Sequence, residues 1–305
     1  MSLSSIIHYQ KPIRDGLRAR ITRPSIYFDQ IKAPPLTGNS QIVGAAFDYL
    51  LRFYIQRVND FSQSSMWVSE IGAELINNFL CDYLSQDNKA NAYLIDAKKE
   101  HRRYLKTGSV TENLLICMLR LAYLDVACRK GPFFIDWEAI ESPHLEDVAD
   151  LRAMLELVGE ASFKAEKLCL LNPNFGIASE LVGGADTDLL IDDCLIDIKT
   201  TKYSRIDSRD FFQLVCYYLL YRFDGISCGD FRSARNKINY LGIYFARHGY
   251  FWKVAVDEVF VPTPLRETAA WFFKSVCKSK SKRHIYLRRF RSAFGRNLLM
   301  SNRTV

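Results

Sequence analysis

Between residues 187 and 199 the chain leaves the three-and-four hydrophobic spacing that dominates what precedes it. Residues 187 to 191 and 194 to 199 are short apolar runs on either side of Asp192-Asp193. That pattern predicts two strands joined by a tight hairpin, although the usual turn glycine is missing. With the two aspartates at the tip, Asp188 faces Asp197 and Asp186 faces Lys199. Side chains alternate along a strand, so these four polar groups share one face. Thr187, Leu189, Ile191, Ile196 and Ile198 take the other, which is apolar enough to pack on helices. A slip of one residue would destroy the arrangement.

Carboxylates held side by side repel, and burying them beside a sheet is costly unless a cation neutralises them. A hard divalent ion meets that need, and magnesium keeps several waters when only one or two carboxylates hold it. Lys199, two residues beyond Asp197, would stand beside such an ion, hold or deprotonate a water and offset phosphate charge. The expected chemistry is phosphodiester hydrolysis. The bare Asp-x-Lys pattern also occurs at Asp87-Asn-Lys89 and Asp96-Ala-Lys98, in stretches that read as helical, so the information lies in the strand context. The alternative is an exposed hairpin with ordinary surface charges.

Around this hairpin the chain reads as helix, strands, helix, strands, which predicts an α/β or α+β core sheet flanked by helices. Helices are expected over 40–58, 66–85, 89–105 and 111–129, with Ser40 and Thr111 as N-caps. Another is expected from about 145 to 168, leading into the loop Asn172-Pro-Asn-Phe-Gly176, and one over 208–223. Residues 238–246 and 250–256 alternate around Arg247-His248-Gly249. The first 38 residues carry prolines at 12, 24, 34 and 35 and several arginines, and read as an extended arm. The resulting division is a helical N-terminal region over 1–145, a core over 146–262 and a basic helical tail over 263–305.

The residues Gly183-Gly-Ala-Asp186-Thr-Asp188-Leu-Leu-Ile, then Ile196-Asp197-Ile-Lys199, then Gln213-Leu-Val-Cys-Tyr217 resemble the PD-(D/E)xK nuclease superfamily and its RecB-like branch with a Gln-x-x-x-Tyr motif. The resemblance covers roughly residues 150 to 257 and implies a restriction-endonuclease-like core. It implies Asp188 or Asp186 as the first metal-binding aspartate, Asp197 as the second and Lys199 as the catalytic lysine. Asp188 precedes a strand in the family manner, whereas Asp186 fits the Gly-x-x-Asp spacing from Gly183. Ile198 completes the implied metal set, and Glu160 or Glu180 is placed to supply a further acid. Gln213 and Tyr217 would share one helix face and reach the active site and a nucleic-acid backbone together. Some members of the branch hold an iron-sulfur cluster with four cysteines. Here only Cys228 and Cys277 follow the Gln-x-x-x-Tyr helix, so none is expected.

The net charge of +7 has one address: after Glu267 there is no acidic residue, while nine lysines and arginines lie between Lys278 and Arg303. Such a tail suits a polyanion. No apolar run is long enough to span a bilayer and no secretory leader is legible, so the expected location is cytoplasmic. The eight cysteines form no CxxC pair, which argues against a zinc site. Arg247 and His248 read as turn residues more readily than as phosphate contacts, and the cluster Phe133-Phe-Ile-Asp-Trp137 as core. The expectation is a magnesium- or manganese-dependent deoxyribonuclease, acting alone, as a homodimer or in a larger nucleoprotein complex. A non-catalytic nucleic-acid-binding or scaffolding subunit, or a nuclease directed at RNA, are the rivals.

Overall fold

The computed structural model describes residues 2–25, 27–28, 30–83, 89–159, 162–233 and 237–277. Glu160 and the basic segment 278–305 lie outside the described residues. The architecture is α/β: a mixed six-stranded sheet with helices on both faces.

The expected helices form close to their predicted limits, as α3 (Ser40–Val58), α4 (Val68–Tyr83), α5 (Lys89–Thr107) and α6 (Glu112–Lys130). Thr111 caps α6 by accepting the Leu114 N–H. Ser40 opens α3 rather than capping it, because Asn39 takes the cap position and turns its amide to the Asp147 carboxylate. Three further expectations change. The first residues are not an extended arm but two short helices, α1 (Leu3–Tyr9) and α2 (Lys11–Arg18). Pro12 lies in the first turn of α2, where no backbone hydrogen bond is lost, and Leu3, Ile6, Ile7, Ile13 and Leu17 are buried. The helix expected to reach residue 168 is α8 (Leu145–Glu156), preceded by the short α7 (Trp137–Glu141). Beyond Gly159 the chain drops Phe163 edge-on against Tyr244. Phe133 and Phe134 are exposed rather than core, 75% and 67% accessible, because they sit in a 3-10 turn that leaves α6 at Gly131.

The sheet is built from β1 (Gln63–Ser64), β2 (Cys169–Leu171), β3 (Leu189–Ile191), β4 (Cys194–Lys199), β7 (Tyr240–Phe245) and β8 (Tyr250–Ala255), adjacent in that order. The strands β5 (Ile226–Cys228) and β6 (Phe231–Ser233) form a separate hairpin. The β3–β4 register is the expected one, pairing Leu189 with Ile196 and Ile191 with Cys194. Its tip needs no glycine because Asp192 takes φ 50°, which aspartate tolerates. Its carboxylate accepts the N–H groups of Glu166, Lys167 and Leu168. Burial opposes ionisation there, but these three donors outweigh it and hold the Asp192 pKa low.

Both faces of the hairpin are covered. Leu189, Ile191, Cys194 and Ile196 pack with the helices α3 to α8, so the apolar core crosses the expected division at residue 145. Leu190 and Leu195 point the other way, into a second core made with α1, α2, α10 (Ser208–Asp224) and α12 (Leu265–Val276). The short helices α9 (Ile177–Leu181) and α11 (Val256–Val259) complete the fold. No helix among the described residues is long and apolar enough to cross a membrane.

Candidate active site

The chain leaves β4 at Lys199, turns through residues 200–207 and enters α10, which runs back to the parallel strand β7. Asp207 caps α10 by accepting the Arg209 N–H at 2.7 Å. This crossover sets the first turns of α10 beside the C-terminal end of β4, where an open α/β sheet most readily offers a site.

Asp197 is 2% exposed. Its Oδ2 lies 2.7 Å from Lys199 Nζ, whose other neighbour is Asp210 Oδ1 at 3.6 Å. The 2.7 Å contact is an ion pair without aligned hydrogen-bond geometry, so Asp197 Oδ2 is a buried oxygen with no oriented donor. Asp188 Oδ2 accepts the Ile198 backbone N–H at 2.6 Å. This bond spans the hairpin and turns the Asp188 carboxyl towards the strand that carries Asp197. The Ile198 side chain packs into the helical core on the opposite face, so only its main chain reaches the site.

Burial raises the pKa of Asp188, and the charges of Asp197 and Asp48 raise it further. Burial also raises Asp197, with Lys199 opposing the shift. Burial disfavours the Lys199 cation, but Asp197, Asp210 and Asp188 together hold it protonated, above its usual range. Asp186 is at the rim, after the Gly183-Gly184 turn whose φ values of 75° and 112° favour glycine. Its surface is exposed, yet the protein around its carboxyl is enough to raise its pKa, against Arg129 and Arg52.

Gln213 and Tyr217 do share a face of α10: Gln213 Nε2 donates to the Tyr217 hydroxyl at 2.6 Å and lies 2.9 Å from Ser4 Oγ of α1. Burial raises the Tyr217 pKa, followed by the fields of Asp197, Asp186 and Asp188, so the phenol stands among the carboxylates and stays neutral. Glu180 is elsewhere. It lines a depression with Asn174, Asp224 and Arg232.

Asp48 and Asp210 were not anticipated. Asp48 comes from α3, adds to the negative field on Asp188, Asp197 and Asp186, and pairs with Arg52 one turn on. Its Oδ1 is buried without a partner. Arg52 is itself 6% exposed. The available signal was an Asp/Arg pair four apart inside an otherwise apolar helix. Asp210 was legible only as a first-turn acid of α10.

Arg247 and His248 do not face a ligand. Both are buried, and Arg247 is bound to Asp150. The N-terminal arginines are engaged within the protein: Arg14 donates to the carbonyls of Ile7 and His8, Arg20 to Gly16 and Arg23 to Ile206.

The residues present suit a hard divalent ion. Asp188 and Asp197 are neighbours, and Asp197 and Asp48 each present a buried oxygen with no oriented donor. Among the described residues no three or more His, Cys, Asp or Glu side chains are grouped as a full cage. Magnesium is commonly held by one or two carboxylates together with water and substrate phosphate. Comparison with protein-family models, with curated proteins and with solved structures finds no match.

Proposed function

We propose that the protein is a nuclease that hydrolyses DNA phosphodiester bonds with magnesium or manganese. The observation that carries the reading is the Asp188–Asp197 pair, half-buried and buried in turn, with the Lys199 ammonium 2.7 Å from Asp197. Asp188, Asp197 and the Ile198 main chain would hold the ion, with Asp186 and Asp48 on its flanks. When bound, the ion supplies a water of lowered pKa and polarises a phosphate oxygen. Lys199 is protonated, so it donates to the attacking water or to a phosphate oxygen and offsets phosphate charge. Asp210, 3.6 Å from Nζ, helps to hold that ammonium in place. Gln213 would reach the nucleic-acid backbone by exchanging its Ser4 contact for a phosphate oxygen, while its bond to Tyr217 orients the amide. The nine positive charges of 278–303 would add affinity that falls with salt.

The test is cleavage of linear and circular DNA with magnesium or manganese by the wild type, Asp197→Ala and Lys199→Ala. Metal-dependent cutting lost in both variants supports the reading, and cutting that survives in both overturns it. One observation favours a second reading, a non-catalytic nucleic-acid-binding or scaffolding subunit: Lys199 already meets Asp197 and Asp210, so the cluster is partly neutralised without an ion. DNA binding by a folded wild type that cuts neither DNA nor RNA would favour that reading.

A further inference from the structure

Beside the acidic cluster, starting at Asp210 and Gln213, is a groove most of whose walls have no part in the proposed chemistry. Between α1, the segment after β4 and the start of α10 is a depression of about 830 Å3 whose walls include Tyr9, Tyr203, Arg205, Arg209, Asp210 and Gln213. A second depression of about 360 Å3 continues from it, sharing Arg205 and Asp207 and adding Arg23 and Tyr27. The two form one path that begins at residues of the candidate active site, Asp210 and Gln213, and leads away from it.

Two features of this path are chemically specific. Three tyrosine rings along it face solvent: Tyr9 is 74%, Tyr203 59% and Tyr27 85% exposed. Cations accompany them. Lys202 Nζ lies 5.7 Å and Arg205 Cζ 5.9 Å from the centre of the Tyr203 ring, and Arg209 lies beside His8 of α1. Arg23, Arg205 and Arg209 outnumber the carboxylates of Asp207 and Asp210 along the path; Asp207 is taken up by Arg209, which leaves Arg23 and Arg205 as its unneutralised cations. Exposed aromatic faces in a cationic groove are what unpaired bases and their phosphates require together. A duplex keeps its base faces stacked on one another and offers the rings nothing to stack on.

We propose that this groove binds a single DNA strand, stacking unpaired bases on Tyr203 and Tyr9 and leading the strand to the carboxylate cluster, which rests on the nuclease reading for what happens at its end. The substrate class is then single-stranded DNA, or a duplex with an unpaired end.

The test is binding by the full chain, in EDTA, of fluorescein-labelled oligothymidylate and of a labelled duplex of equal length, read by anisotropy. The single strand should bind more tightly. Tyr203→Ala and Tyr9→Ala should each weaken the single strand by about tenfold while leaving the duplex unchanged, and Tyr203→Phe should keep wild-type affinity. Both tyrosines are exposed, so these variants retain the fold. Equal affinity for the two DNAs, or single-strand binding that is unmoved in a Tyr9→Ala/Tyr203→Ala double variant, would overturn the proposal. Because no cutting takes place in EDTA, this result is independent of the cleavage assay. A nuclease without single-strand preference sinks only the groove, and a strand-binding protein that never cuts sinks only the nuclease.

Discussion

Arg247 and Asp150 form a doubly hydrogen-bonded ion pair at 2.6 and 2.9 Å, with both side chains 1% exposed. The guanidinium also donates to the carbonyls of Thr200 and Ala33, so one residue ties α8, the segment before α3 and the loop after β4 that leads into the site. A buried charge is tolerated only while it is paired and hydrogen-bonded. Arg247→Met leaves Asp150 buried alone and should cost about 3–5 kcal/mol, measured as a lower urea midpoint. Arg247→Met combined with Asp150→Leu should recover much of that loss. A single variant as stable as the wild type would refute the assignment.

Asp188 is held among like charges. Burial, Asp197 and Asp48 disfavour its ionised form and outweigh the Lys199 charge that favours it, whereas the Ile198 N–H can donate equally well to an amide oxygen. Asp188→Asn should therefore raise the melting temperature in EDTA by a few degrees, while abolishing metal-dependent cleavage. This opposition of stability and activity is expected where carboxylates are crowded to receive a cation. An unchanged or lower melting temperature in EDTA would show that the crowding carries no strain.

The hairpin was legible because one face had to be apolar and the period of two then fixed its register: Leu189 and Ile196 are partners because a slip of one residue would turn a carboxylate of the opposite face into the helical core. The Gln213–Tyr217 pair was legible for the same kind of reason, one turn of helix. Asp48 was not. It reaches the cluster through the packing of α3 on the sheet, a contact over more than a hundred residues that no local spacing encodes. The tail of residues 278–305 remains a statement about charge alone. The first helices were misread because prolines weigh against helix in a window, whereas Pro12 in the first turn of α2 breaks nothing.

At Gly72 the helix α4 lies directly against the main chain of α6. A Cβ there would lie 2.0 Å from the Leu124 carbonyl oxygen and 2.8 Å from its carbon, and main chain in mid-helix cannot step aside as a side-chain tip can. Although alanine is the better helix former, Gly72→Ala should destabilise by about 1–3 kcal/mol through overpacking. Calorimetry decides the sign: a gain in stability, the ordinary result for glycine to alanine on an exposed helix face, would mean that the two helices are further apart.

His101 gives the fold a dependence on acid that is separate from the site. Its Nε2 lies 2.8 Å from Gln56 Oε1 and its ring packs on Phe53 at 4.0 Å and against Trp67 at 5.3 Å. Burial, with a smaller contribution from Arg102, lowers its pKa from 6.5 to about 4. Between those values the unfolded chain takes up a proton that the folded chain refuses, so stability falls as pH drops through this window and the loss is complete below it. Above pH 6.5 the ring is neutral in both states and contributes no pH dependence. Allowing for its partial exposure, the loss should be roughly 2 kcal/mol. Urea unfolding of the wild type and His101→Gln at several pH values isolates this contribution from the carboxylates, which titrate in both. The two stability curves should converge towards acid pH, and curves that stay parallel from pH 7 to pH 4 would show that the ring is freely protonated in the fold.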